Sequence, residues 1–133
     1  MILRTLNILI VDGASLIMQQ LSEILYNKAS VNIIRFAINA EDGLKALAQD
    51  QTDMLILDIN LSGMSGLEML RKVKALYEYT LVVIILTNTP YTIYRDECLR
   101  IGADFFLDKS RDFALLPDLV DRYSHKKMLV KSG

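Results

Sequence analysis

The chain alternates between short apolar runs and longer segments in which apolar residues recur every three or four positions. Leu6 to Val11, Met54 to Leu57, Leu81 to Leu86 and Phe105 to Leu107 carry almost no polar residue, as strands buried on both faces of a sheet require. Val31 to Ala37 is a more mixed run and is assigned as the second strand. Helical spacing marks the segments between them. Ile17, Leu21, Ile24 and Leu25 form one stripe with Ser15 as its N-cap, and Leu44, Leu47 and Ala48 form a second behind the cap Asn39. Leu67, Leu70, Val73 and Tyr77 mark the third helix; Tyr94, Cys98 and Ile101 mark the fourth, stopped by Gly102. The last stripe is Leu115, Leu116, Leu119, Val120 and Tyr123. A proline costs about 3 kcal/mol inside a helix but is tolerated in its first turn. Pro117 therefore places the start of regular helix near Leu116, after a capped turn over Ser110 to Leu115. Strand and helix alternate five times, which predicts an α/β fold: a five-stranded, doubly wound parallel sheet with helices on both faces.

Composition narrows the setting. A chain of 133 residues, 52% hydrophobic and 23% charged, suits a folded globular protein and not a disordered one. No linker or repeat divides it, so one domain over residues 1–133 is expected, with its core at about 5–124 and a short basic tail at Lys126, Lys127 and Lys131. A net charge of -1 gives no electrostatic case for nucleic-acid binding. No apolar run approaches the ~20 residues that span a bilayer, and the stretch after Arg4 ends in Asp12 without a small-residue cleavage site. The Asn60-Leu61-Ser62 sequon is then a chance match, and a cytoplasmic protein is expected. The single cysteine, Cys98, falls in a helix and reads as a buried thiol.

The ends of the apolar runs hold the chemistry. The first run ends at Asp12, the third strand's run at Asp58, the fourth strand's run at Thr87, and the fifth reaches Lys109 through Asp108. In a parallel sheet the carboxyl ends of the strands share one edge, and ligands bind in the crevice outside it. Two carboxylates, a hydroxyl and an ammonium gathered there can hold a divalent metal, accept a phosphoryl group and sense its arrival.

An acid after the first strand, an aspartate after the third, a threonine after the fourth and a lysine after the fifth resemble the response-regulator receiver domain, the CheY-like module of the flavodoxin-like fold. The resemblance extends over about residues 5–124 and includes Gly63-Met64-Ser65-Gly66 and Gly102-Ala103-Asp104. It implies that Asp58 is the phosphoacceptor and that Asp12, Asp58 and the backbone carbonyl of Asn60 hold Mg2+. Thr87 and Lys109 would then contact the phosphoryl group, Phe106 would report the switch, and Asn60, Asn88 and Thr89 would tune hydrolysis of the acyl phosphate. Two positions depart from the family pattern. Gly13 stands where a second acid usually follows the first, a loss worth about 10–100-fold in metal affinity, and Ser110 stands where proline is common, placed to cap the next helix.

The resemblance further implies a two-component or phosphorelay partner: a histidine kinase or phosphotransfer protein as donor, and an effector protein downstream. The expected protein is a stand-alone switch and not a conventional enzyme. A flavodoxin-type carrier needs a Ser/Thr-rich phosphate loop where this chain has Val11-Asp12-Gly13-Ala14-Ser15. A haloacid-dehalogenase-type phosphatase needs an acid two residues after its nucleophile, where this chain has Asn60. The remaining competitor is a pseudo-receiver, in which Gly13 has ended efficient phosphorylation and the domain works only as an interaction module.

Overall fold

Every strand forms within one residue of its apolar run. In the computed structural model, which describes residues 5–77 and 81–132 with side chains to His125, the strands are β1 (Leu6–Val11), β2 (Val31–Ala37), β3 (Met54–Leu57), β4 (Val82–Thr87) and β5 (Phe105–Asp108). They pair in parallel in the order β2-β1-β3-β4-β5. The order reverses between β1 and β3, which places the ends of those two strands on either side of a crevice. The helices are α1 (Ser15–Leu25), α2 (Ala40–Gln49), α3 (Gly66–Tyr77), α4 (Thr92–Ile101) and α5 (Leu116–Ser132).

Alternate strand residues feed two cores. Leu9, Val11, Leu55, Leu57, Val83 and Ile85 pack against Leu47 of α2, Met69, Leu70 and Val73 of α3 and Cys98 of α4. Ile8, Ile10, Met54, Ile56, Ile84, Leu86 and Leu107 face Leu21 and Leu25 of α1 and Leu116, Leu119 and Val120 of α5. Burial on both faces explains why the central strands β1, β3 and β4 read as nearly unbroken apolar runs while the edge strand β2 is mixed, and each fully buried Leu or Ile contributes roughly 1.5–3 kcal/mol.

Several boundaries and faces differ from expectation. Ser15 is the first residue of α1, not its cap; Ala14 holds that position without a side-chain bond, because Asp12 Oδ1 already accepts the Ala14 N–H at 2.8 Å and turns the chain there. Asn39 does cap α2, accepting the Asp42 N–H at 2.8 Å. The buried face of α2 is Ala40, Gly43 and Leu47, with Ala48 exposed. The helix rides close to the sheet, and a Cβ on Gly43 would lie 2.8 Å from Val11 Cγ2. Leu115 belongs to a 3-10 turn over Phe113–Leu115 and is exposed; α5 starts at Leu116 with Pro117 in its first turn. The segment expected as a solvated tail continues α5 to Ser132, since no glycine or proline interrupts it before Gly133. The side chains of Lys126, Lys127 and Lys131 lie outside the described residues.

Candidate functional site

The four run-ending residues meet at the carboxyl edge of the sheet. Asp12 and Asp58 are the first residues past β1 and β3, and both main-chain N–H groups are held there: Asp12 N donates to Ala37 O at 3.1 Å and Asp58 N to Val11 O at 3.0 Å. Lys109 follows β5 directly, and its N–H donates to Thr87 O at 2.9 Å. These bonds extend the sheet ladder one residue further, so strand geometry aims the side chains. All four are buried: Asp12 3%, Asp58 6%, Thr87 0% and Lys109 8% exposed.

Lys109 Nζ lies 2.6 Å from Asp12 Oδ2 and 2.9 Å from Asp58 Oδ2. Burial by itself pulls the Lys109 ammonium down. The hydrogen bonds from Asp12 and Asp58 and their charges outweigh that effect and raise the group above its usual pKa. The second oxygen of each carboxylate is also engaged, Asp12 Oδ1 by the Ala14 N–H and Asp58 Oδ1 by the Asn60 N–H at 3.0 Å. The lysine thus bridges both acids.

Around Thr87 a second set of bonds forms. Asn60 Nδ2 donates to Thr89 Oγ1 at 2.9 Å and to Thr87 Oγ1 at 3.4 Å, the two threonine hydroxyls are 3.0 Å apart, and the Thr89 N–H donates to Thr87 Oγ1 at 3.1 Å. Asn88 is exposed, beside this set. Phe106 pairs in register with Ile85, and Thr87 with Asp108. Thr87 and Phe106 therefore point to the same face of the sheet, and Phe106 is half-buried against the core on the α4 side.

Sequence reading missed two supports. Ser65 Oγ accepts the Glu68 N–H at 3.2 Å and caps α3; the Ser-x-x-Glu spacing was the available signal. Gly66 packs under the loop that follows β3, where a Cβ would collide with Asp58 O and Ile59 Cα. Ser110 does not cap the following helix. Its N–H and Oγ both bond back to Asp108 Oδ1, at 2.9 and 2.7 Å, because a short polar side chain after an aspartate finds that carboxylate before it can reach a helix N-terminus.

The side chains placed to ligate a metal are the carboxylates of Asp12 and Asp58, to which the resemblance adds the Asn60 carbonyl. No cluster of three or more acidic, histidine or cysteine side chains suited to a metal occurs among the described residues. The donor set is all hard oxygen, which fits an Mg2+ ion held by one or two carboxylates and several waters. Gly13 is exposed, and only Gly63 and Gly102 have positive φ among the described residues. The backbone therefore does not require glycine at position 13. Cys98 is buried, and burial first and Glu97 second push its thiol up to about 11, which leaves it a poor nucleophile at neutral pH. No helix of the described residues is long and apolar enough to cross a membrane.

The sequence profile of the response regulator receiver domain matches residues 8–121. A protein-glutamate methylesterase/protein-glutamine glutaminase of Bacillus subtilis (strain 168) is 27% identical over 127 residues, covering 95% of this chain and 34% of that protein. The chain spans about a third of that relative's length. Among solved structures, a CheY-like response regulator receiver domain protein from Methanospirillum hungatei JF-1 superposes with a TM-score of 0.83 at 24% identity, covering 97% of this chain and 99% of the other. The CheX-CheY-BeF3-Mg2+ complex from Borrelia burgdorferi gives a TM-score of 0.77 at 26% identity, covering 85% of this chain and 84% of that chain.

Proposed function

This chain belongs to the response regulator receiver domain family, and on that footing we propose that it is a phosphorylated switch with Asp58 as its phosphoacceptor. The observation that carries the reading is the Lys109 ammonium held within 3 Å of both Asp12 and Asp58, with the fully buried Thr87 beside them. The family is a signalling switch and not a conventional enzyme, and its members work with kinases, phosphotransfer proteins and effectors.

In this reading a phosphohistidine on a kinase or phosphotransfer protein donates. The P–N bond breaks as an Asp58 carboxylate oxygen forms the new P–O bond, and the histidine nitrogen leaves with the bonding electron pair. Lys109 supplies a positive charge 2.9 Å from Asp58 Oδ2. Mg2+, held by Asp12, Asp58 and the Asn60 carbonyl, would offset the charge on the phosphoryl oxygens, and the related Borrelia CheY holds BeF3 with Mg2+. The arriving group draws Thr87 and Lys109 into charge-assisted hydrogen bonds. Thr87 shares its sheet face with Phe106, so its movement frees room into which the Phe106 ring turns. The neighbouring surface carries Tyr91 and Tyr94, with ring centroids 5.9 Å apart, and with Phe106 and α5 it forms the face an effector protein reads.

Intact-mass measurement after incubation with acetyl phosphate and Mg2+ tests the reading. One added phosphoryl group is expected, and none in Asp58→Asn. That variant stays folded, because Lys109 keeps its 2.6 Å partner Asp12. The missing acid at Gly13 favours one other reading, a phosphorylation-independent interaction module. An unmodified parent protein at saturating donor and Mg2+ establishes that reading instead.

A further inference from the structure

The hydroxyl of Thr87 has one proton and two lone pairs to place. The Thr89 main-chain N–H reaches its oxygen at 3.1 Å and Asn60 Nδ2 reaches it at 3.4 Å. Both are donors only, so both lone pairs are taken. The neighbouring Thr89 Oγ1, at 3.0 Å, is then the acceptor of the Thr87 proton. Thr87 is 0% exposed, and no solvent molecule competes for it. The same Thr89 oxygen also accepts from Asn60 Nδ2 at 2.9 Å, a second bond that ties it to this set.

We propose that Thr89 is a positioning residue that holds the switch in its resting state, by accepting the Thr87 hydroxyl proton until a phosphoryl oxygen on Asp58 displaces it. The inference rests on the reading of Asp58 as phosphoacceptor and Thr87 as its sensor. The exchange runs forward because a charged phosphoryl oxygen is an acceptor roughly twice as strong as a neutral hydroxyl. Thr89 thereby sets how far the equilibrium between the two arrangements lies toward rest, a role distinct from tuning the lifetime of the acyl phosphate.

Thr89→Val keeps the shape and the main-chain N–H but removes the acceptor, so the resting arrangement is left with a buried unpaired hydroxyl proton. Thr89→Ser keeps the acceptor. In protein without any phosphoryl mimic, side-chain NMR of Thr87 is expected to show a changed χ1 population in Thr89→Val and the parent population in Thr89→Ser. The affinity for BeF3 with Mg2+ is expected to rise about two- to tenfold in Thr89→Val, the equivalent of one neutral hydrogen bond, and to return to the parent value in Thr89→Ser. In a Thr87→Ala background the Val change is expected to have no effect, a cancellation that a merely structural role would not produce. Equal effects of Val and Ser, or a Val effect that persists without the Thr87 hydroxyl, overturn the proposal. Failure of the parent to take BeF3 at Asp58 refutes the phosphoacceptor reading instead. The χ1 comparison then decides the Thr87–Thr89 contact alone: an unchanged population in Thr89→Val overturns it, and a change reversed by Ser supports it.

Discussion

Replacing Gly13 with aspartate is expected to tighten Mg2+ binding by more than tenfold without cost to the fold. Gly13 is exposed, and a Cβ there meets only Ile38 O, at 3.7 Å. Its φ is not positive, so an L side chain enters without strain. Asp12, Asp58 and Lys109 leave the pocket one negative charge. A divalent ion reverses that to one positive charge, and an aspartate at position 13 brings the loaded pocket to neutrality. Because the position is exposed, the water limit of the Coulomb energy applies. Two unit charges about 4 Å apart are worth about 1 kcal/mol there, and a divalent ion doubles this to about 2 kcal/mol. That corresponds to about 30-fold in affinity, within the range of about 10–100-fold expected for a lost metal-site residue. Calorimetric Mg2+ titrations of parent and variant at matched ionic strength measure the difference, with thermal denaturation of both as the control. Equal affinities at equal stability refute the claim that position 13 lacks only a ligand. A loss of stability in the variant refutes the claim that the backbone there is free.

Thr87→Ala is expected to accept the phosphoryl group but to lose the phosphorylation-dependent change in effector affinity, and an unchanged response would show that the signal leaves by another route. Gly66→Ala forces a Cβ into Asp58 O and Ile59 Cα and is expected to lower unfolding stability by about 1–3 kcal/mol in urea titration; a neutral result would mean that the β3–α3 loop yields freely. At the far end of the sheet, Asp121 is pushed up by burial but pulled further down by hydrogen bonds from Ser30 at 2.7 Å and Lys28 at 3.0 Å. Its folded-state pKa lies below the unfolded one, so its contribution is present above about pH 4 and fades as pH falls through the lowered value. Asp121→Ala is expected to cost about 0.5–1 kcal/mol at pH 7, since the carboxylate is 48% exposed, and the difference from the parent should shrink in acid; a constant gap across that range would refute the linkage.

Local pattern was enough to locate all five strands: burial on both sheet faces makes the central β1, β3 and β4 nearly unbroken apolar runs, and the mixed edge strand β2 was found from its place in the alternation. Asn39 and Pro117 marked their helix starts for equally local reasons, a cap that bonds within three residues and a ring that fits only a first turn. Ser15, Ser110 and Ala48 were misread because each had a competitor that local pattern does not weigh: the Asp12 carboxylate, the Asp108 carboxylate, and a helix laid close to the sheet at Gly43. The alternation of elements likewise put Asp12, Asp58, Thr87 and Lys109 on one edge, since strand direction in a parallel sheet follows from connectivity.

Which of those residues touch is a matter of tertiary structure. Only the order β2-β1-β3-β4-β5 sets Asp12 beside Asp58 and lets one ammonium bond both. Only side-chain packing joins Asn60 to Thr87 and Thr89, and only the approach of α3 to β3 makes Gly66 obligatory. Sequence by itself determined the elements and their chemistry, which depend on neighbours a few residues away. The contacts that assemble the site reach from Lys109 back to Asp12, 97 positions apart in the chain, and their geometry is decided when the sheet and its two helical layers close.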